Sequence, residues 1–76
     1  MDRAMTAQHL AIAERHVAEG ERHISGQRAI IERLTRAGHD LSLAECLLQQ
    51  FESTQAVYDA DRNRLRRQLD EQSIAW

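Results

Sequence analysis

The stretch RAGHDLSLAE, residues 36–45, decides the fold, because it is the short break between two long helical patterns. Gly38 suits the left-handed conformation that often follows a helix end, since glycine has no Cβ to clash there. We therefore expect the first helix to stop near Ala37. The rest of the stretch contains signals for the start of a second helix.

The start of the second helix has two candidate caps. Ser42 and Glu45 have the spacing of a capping box, which predicts a helix that begins one residue after Ser42. Asp40 is the competing N-cap and would move the boundary by about two residues. Leu41 and Cys46 are placed to form the hydrophobic staple that accompanies such a cap.

Apolar residues on both sides of the break recur at alternating spacings of three and four, which makes one stripe along each helix. The first stripe consists of Leu10, Ala13, Val17, Gly20, Ile24, Gln27, Ile31 and Leu34. The second consists of Ala44, Leu48, Phe51, Gln55, Tyr58, Arg62, Leu65, Leu69 and Gln72, with Trp76 as a candidate last member. We expect the two stripes to face each other.

The composition favours an all-α protein. The 76 residues include no proline and three glycines, and the strong helix formers Ala, Leu, Arg, Gln and Glu predominate. So short a connection forces the helices to run antiparallel. We predict a single domain, residues 1–76, that forms a long antiparallel helical hairpin, with helix one over about 4–37, a turn over 38–42 and helix two over about 43–73.

The register of the hairpin follows from placing the centre of the turn near His39. Facing residues then have numbers that add to about 78, so Tyr58 comes opposite Gly20. A glycine inside a helix costs about 1 kcal/mol relative to alanine. We therefore expect Gly20 to admit the tyrosine ring or a close helix approach, with a kink at Gly20 as the alternative.

Two helices leave part of each apolar surface uncovered. Ile12, Ile30, Leu43, Leu47 and Val57 lie outside the two stripes and need cover. A second copy related by two-fold symmetry would supply it, giving a homodimeric four-helix bundle. The alternative is that the same surface docks on a different, larger protein, as a small adaptor or inhibitor would.

Histidines recur every seventh residue, at His9, His16 and His23, directly before stripe residues. At this flank a neighbouring helix half covers the imidazole, so His16 and His23 are predicted interface residues that pack their rings. Residues seven apart lie about 10.5 Å from each other along a helix and cannot share a metal ion. Glu19 with His16 or His23 is the remaining candidate ligand set, but helix two supplies no histidine, and we expect no metal and no cofactor.

The same histidines also suggest a pH- or metal-responsive sensor as an alternative function. Histidine titrates near neutrality, and a symmetric dimer would bring up to six of these positions together. Charging them would weaken a packed interface.

A cluster of four arginines, the only basic cluster, predicts a solvated face rather than a nucleic-acid site. Acidic residues flank it at helical spacing, for instance Asp59 before Arg62 and Arg66 before Asp70. The formal net charge is −2 and the pI is near 6.0, so no overall attraction to nucleic acid or anionic membrane is expected.

The single cysteine, Cys46, has no partner for an internal disulfide, and we interpret it as a small buried residue or staple partner. No nucleophile motif, phosphate-cradling glycine loop or catalytic carboxylate pair is present, so we expect no enzymatic activity. No apolar run is long enough to span a bilayer, and no signal segment opens the chain, so the expected location is the cytoplasm.

With AERHVAEGERHI at 13–24, GHD at 38–40, LLQQFE at 47–52 and RNRLRRQL at 62–69, the chain resembles short uncharacterised helical proteins of alphaproteobacteria. The resemblance spans nearly the whole chain. It implies a bacterial, cytoplasmic hairpin and carries over no catalytic or binding residue. We expect a non-enzymatic, self-associating hairpin with a structural or regulatory role in protein–protein interaction.

Overall fold

The protein is an all-α helical hairpin. The computed structural model describes the backbone of residues 2–74 and the side chains of residues 2–73. Helix α1 spans Arg3–Arg36 and helix α2 spans Ser42–Ile74. Each observed bound lies one residue from the predicted one, and the pair forms a rod of 61 × 14 × 14 Å. Trp76, the candidate last member of the second stripe, lies outside the described residues.

Helix α1 ends in a Schellman motif, as the position of Gly38 predicts. Ala37 is the C-cap, and Gly38 has a φ of 74°, in the left-handed region. The amide of Gly38 donates to the carbonyl of Thr35 at 3.1 Å, and the amide of His39 donates to that of Leu34 at 3.0 Å. These two bonds satisfy carbonyls that the helix end would otherwise leave without donors.

Helix α2 is capped by Asp40 and not by the Ser42–Glu45 box that the spacing first suggests. Asp40 Oδ1 accepts from the amide of Ser42 at 3.1 Å and from its hydroxyl at 2.9 Å. Ser42 is already the first helical residue, because the amide of Glu45 bonds to the carbonyl of Leu41 at 2.8 Å. The hydrogen bond from the Ser42 amide, joined by that from its hydroxyl, lowers the pKa of Asp40 from its ordinary value of 3.8.

The two predicted stripes face each other along the hairpin, and every member within residues 2–73 is buried or half-buried. Four apolar side chains are the most buried, and three of them are small: Ala13, Val17, Ala44 and Leu65. Buried glutamines fill two of the remaining places. The side-chain amide of Gln27 donates to the carbonyl of Ala44, and that of Gln55 donates to the carbonyl of Val17, both at 2.9 Å.

The register differs from the predicted one by about one helical turn. Gln55, not Tyr58, fills the place opposite Gly20: its amide occupies the space that a Cβ on Gly20 would take. The Tyr58 ring instead packs on His16, with ring centroids 5.0 Å apart. The prediction was wrong because it assumed that facing residues are symmetric about residue 39. The observed contacts join residues whose numbers add to about 75, so α2 begins level with the last turn of α1. Helix α1 runs uninterrupted through Gly20.

Replacing Gly38 by alanine should lower the free energy of unfolding by roughly 1 kcal/mol, because alanine is strained at a φ of 74°. Gly26→Ala is the matched control. Gly26 is helical and exposed, and a Cβ there meets nothing within 4 Å, so the same change should raise stability by about 1 kcal/mol. Urea unfolding of both variants at one protein concentration tests the pair; equal effects would reject the proposed role of Gly38.

Gly20→Ala should leave the protein less stable than Gly26→Ala by about 1–3 kcal/mol, the cost of displacing the Gln55 amide from its buried hydrogen bond. Both substitutions make the same change inside α1, so helix propensity cancels in the difference. In a Gln55→Ala background the difference should shrink. If it stays the same, Gln55 is not what makes glycine necessary at this position.

Candidate interaction face

The two long sides of the hairpin differ in the residues that border them, and we assign these residues with the heptad letters a to g. We place the inner stripes at positions a and d, so that position g precedes each a and position e follows each d. In this antiparallel pair the g positions of both helices border one side and the e positions border the other. The two sides differ in chemistry.

The side formed by the e positions carries ion pairs between the helices. Arg66 bonds to Glu14 at 3.1 Å, and Arg28 bonds to Glu52 at 3.3 Å. All four side chains remain about half exposed or more, so each pair contributes little stability. We call this the ion-pair side. Four of its charged side chains thus have partners across the hairpin.

The opposite side carries the histidines, and we call it the histidine face. It comprises the g and c positions of both helices. Its g residues are His9, His16, His23 and Ile30 in α1, and Leu47, Thr54, Asp61 and Gln68 in α2.

Two of the histidines stack on aromatic rings of the opposite helix. His16 lies on Tyr58 with centroids 5.0 Å apart, and His23 lies on Phe51 with centroids 5.7 Å apart; the rings are tilted by 33° and 35°. His16 is half-buried, whereas His23 is exposed. Both imidazoles therefore pack against rings of the same hairpin, and their role at an interface with another molecule stays a prediction.

The aromatic partners have the same seven-residue spacing as the histidines. Phe51 and Tyr58 are followed by Leu65, which lines a hollow together with His9 and His16. The sequence contains this second series, and matching the two periods would have identified the pairs. The interpretation of the histidines alone missed it.

Within residues 2–73, the large apolar side chains that remain exposed all lie on the histidine face. They occupy positions g and c, and they are Met5, Ile12, Ile30, Leu43, Leu47 and Val57. Five of them were predicted from the sequence as leftover apolar residues, and Met5 is the addition. Leu43 is 75% exposed and Val57 is 66% exposed, so these two contribute little to the hairpin itself.

Hollows along the histidine face lie between the two helices. One of about 210 Å³ is bordered by Gly20, His23, Phe51 and Tyr58 near the middle of the rod. A second of about 210 Å³ lies between His9, Ile12, Asp61 and Arg64 towards the open end. A third, at the turn end, is bordered by Ile30, Leu34, Leu43 and Leu47. Together they make a shallow groove along this face.

The histidine face is nearly neutral. Its formally charged helix positions are two arginines and three acids: Arg33, Arg64, Glu19, Asp61 and Glu71. Asp40, which precedes α2, also borders the hollow at the turn end. Arg64 pairs with Asp61 one turn before it, so these two charges cancel in the net charge of the face. A near-neutral surface with exposed apolar groups favours contact with another apolar surface over contact with a charged polymer.

The candidate metal ligands do not form a site. His16 and His23 use their rings against Tyr58 and Phe51, and Glu19 lies beside His23 in the central hollow. Within residues 2–73, no three His, Cys, Asp or Glu side chains lie close enough together to hold one ion.

The interpretation of Cys46 as a buried residue was wrong, because its side chain is exposed. It lies two residues after Ala44, which is a rotation of about 200° around the helix axis, and Ala44 faces α1. The sequence spacing contained this information. Because Cys46 is exposed, it is not the buried partner that the predicted hydrophobic staple with Leu41 requires.

The arginine cluster pairs in part as predicted. Arg62 lies 3.8 Å from Asp59, which confirms that pair, and Arg64 pairs with Asp61. Arg66 differs from the prediction: it pairs across the hairpin with Glu14 and not with Asp70.

Neither helix of the described part of the chain has an apolar segment of the length needed to cross a membrane. Comparisons with protein-family models, with curated proteins and with solved structures gave no match for this chain. The resemblance to alphaproteobacterial hairpin proteins therefore stays an expectation.

A double-mutant cycle should detect the stacking of His16 on Tyr58. His16→Ala and Tyr58→Leu should be coupled by about 0.5–1.5 kcal/mol in the free energy of unfolding, the range of close ring pairs. The control cycle combines His16→Ala with Phe51→Leu, whose side chains lie one heptad apart along the rod. It should be additive within about 0.5 kcal/mol. Equal coupling in both cycles would mean that the ring contact is not its source.

Proposed function

We propose that this protein is a non-enzymatic helical hairpin that associates with a second copy of itself through the histidine face, and that it serves as a structural or regulatory protein–protein interaction module. The observation that carries the proposal is the one-sided distribution of exposed large apolar side chains. Within residues 2–73, all six lie on the histidine face, while on the other long side two ion pairs join the helices.

The area of the histidine face is suited to a stable dimer. A face of 61 by 14 Å has an area of about 850 Å², close to the roughly 800 Å² that each partner contributes to a stable interface. A small hairpin also gains from such burial, because a chain of this size has a marginal core. Association and folding would then support each other.

The charge of the face supports a second copy as the occupant. A surface with a strong charge of one sign would repel a copy of itself, whereas this one has near-balanced charges and an internal Arg64–Asp61 pair. The same surface is what a small adaptor or inhibitor would use on a larger protein. In that case the purified hairpin would be a monomer.

The test is the molar mass of the purified protein by light scattering at micromolar concentration and neutral pH. We expect a dimer. Leu43→Gln with Val57→Gln should raise the dissociation constant by at least about 100-fold, since each buried apolar side chain contributes about 1.5 kcal/mol or more. Both side chains are largely exposed in the hairpin. If the single hairpin folds without its copy, this variant should therefore keep the helix content of the parent.

Ala29→Gln with Ala60→Gln is the matched control, because both alanines are exposed at position f, away from the histidine face. This variant should have the same dissociation constant as the parent. A monomeric parent, or a control variant that dissociates as readily as the face variant, would overturn the proposal.

A further inference from the structure

We infer that the two copies pair with their turns at the same end, so that the two-fold axis runs along the helices and α1 of each copy packs against α2 of the other. This inference rests on the proposed function, since it specifies how the histidine face meets its copy. The alternative is a pair with turns at opposite ends, in which α1 packs on α1 and α2 on α2. Both arrangements make all neighbouring helices antiparallel.

The heights of residues along the rod follow from the contacts within one hairpin. Residues 20 and 55 lie at the same height, as do residues 16 and 58 and residues 23 and 51. Facing residues thus have numbers that add to about 75. With turns together, the second copy has the same heights, and the same rule applies between α1 and the α2 of the other copy.

Turns at the same end bring apolar residues together. Ile30 of one copy then lies beside Leu43 and Leu47 of the other, and the two-fold axis repeats the contact. These three side chains already border one hollow at the turn end of each hairpin. Pairing covers the apolar lining of both hollows, which Asp40 also borders.

The rest of the face also fits this arrangement without opposing like charges. Glu19 comes beside Val57 of the second copy, and His16 comes beside Asp61. Ile12 comes beside Arg64, whose aliphatic stem covers apolar surface while its charged end stays near Asp61.

Turns at opposite ends fit the same face less well. Heights are then reversed about the middle of the rod, near Gly20 and Gln55. Ile12 would then lie beside Ile30 of the second copy, and Leu47 would lie along the stem of Arg64. Leu43, the most exposed apolar residue, would lie beside the polar Gln68. Glu19 would face its own copy at the axis, which opposes two carboxylates.

A distance between labels in the turn separates the two arrangements. The variant His39→Cys in a Cys46→Ser background has a single cysteine, which lies in the turn. His39 is exposed and contributes only its backbone amide to the Schellman motif, so its side chain can be replaced. With a nitroxide attached, pulsed electron resonance should give a distance below about 30 Å, since four helices spaced roughly 10 Å apart form a narrow bundle. Turns at opposite ends would give a distance near the 61 Å length of the rod.

The molar mass of the same samples is measured by light scattering, which distinguishes failure of the inference from failure of the proposed function. A dimer with a long distance overturns the pairing direction and leaves self-association intact. A monomer with no dipolar coupling overturns both. Arg36→Cys in the Cys46→Ser background is the second labelling site. It lies at the exposed end of α1 and gives the same separation if the turn variant does not fold.

Discussion

The buried side chains of Gln27 and Gln55 hold the two helices in one register, and the other contacts follow from it. Each donates a hydrogen bond to a backbone carbonyl of the opposite helix. A slide by one turn would break both bonds and leave buried amides without partners, which is costly in an apolar interior. A polar residue in a helical seam commonly fixes register in this way, at some cost in stability. Gly20 makes the position of Gln55 possible, because a Cβ on residue 20 would overlap the Gln55 side-chain amide.

This register explains why histidine returns every seventh residue. The histidines of α1 come to lie opposite a second seven-residue series in α2, so imidazoles meet rings at two levels of the rod. An imidazole can pack one face against an aromatic ring and keep a nitrogen in water. At a flank position that is half covered, this combination suits histidine better than a purely apolar residue.

The hairpin is too thin to cover its own apolar surface. Its most buried apolar side chains include two alanines and a valine, so little apolar area is removed from water between α1 and α2. The ion-pair side closes one flank with charged groups that stay solvated. The histidine face leaves the remaining exposed apolar groups together on one surface, and burying them in the proposed dimer would add further stability. For this reason the proposed function and the stability of the fold depend on the same face.

The sequence by itself determined the two helices, their bounds to within one residue, the facing stripes and five of the six exposed apolar residues. These follow from periodicity and from the left-handed glycine, which are local properties of the chain. Only the tertiary structure decided that Gln55 and not Tyr58 lies against Gly20, and that Asp40 caps α2. Residues one turn apart share a stripe, so periodicity cannot choose between them. The choice depends on how the connection wraps over the end of α1 and on which buried amides then reach a carbonyl.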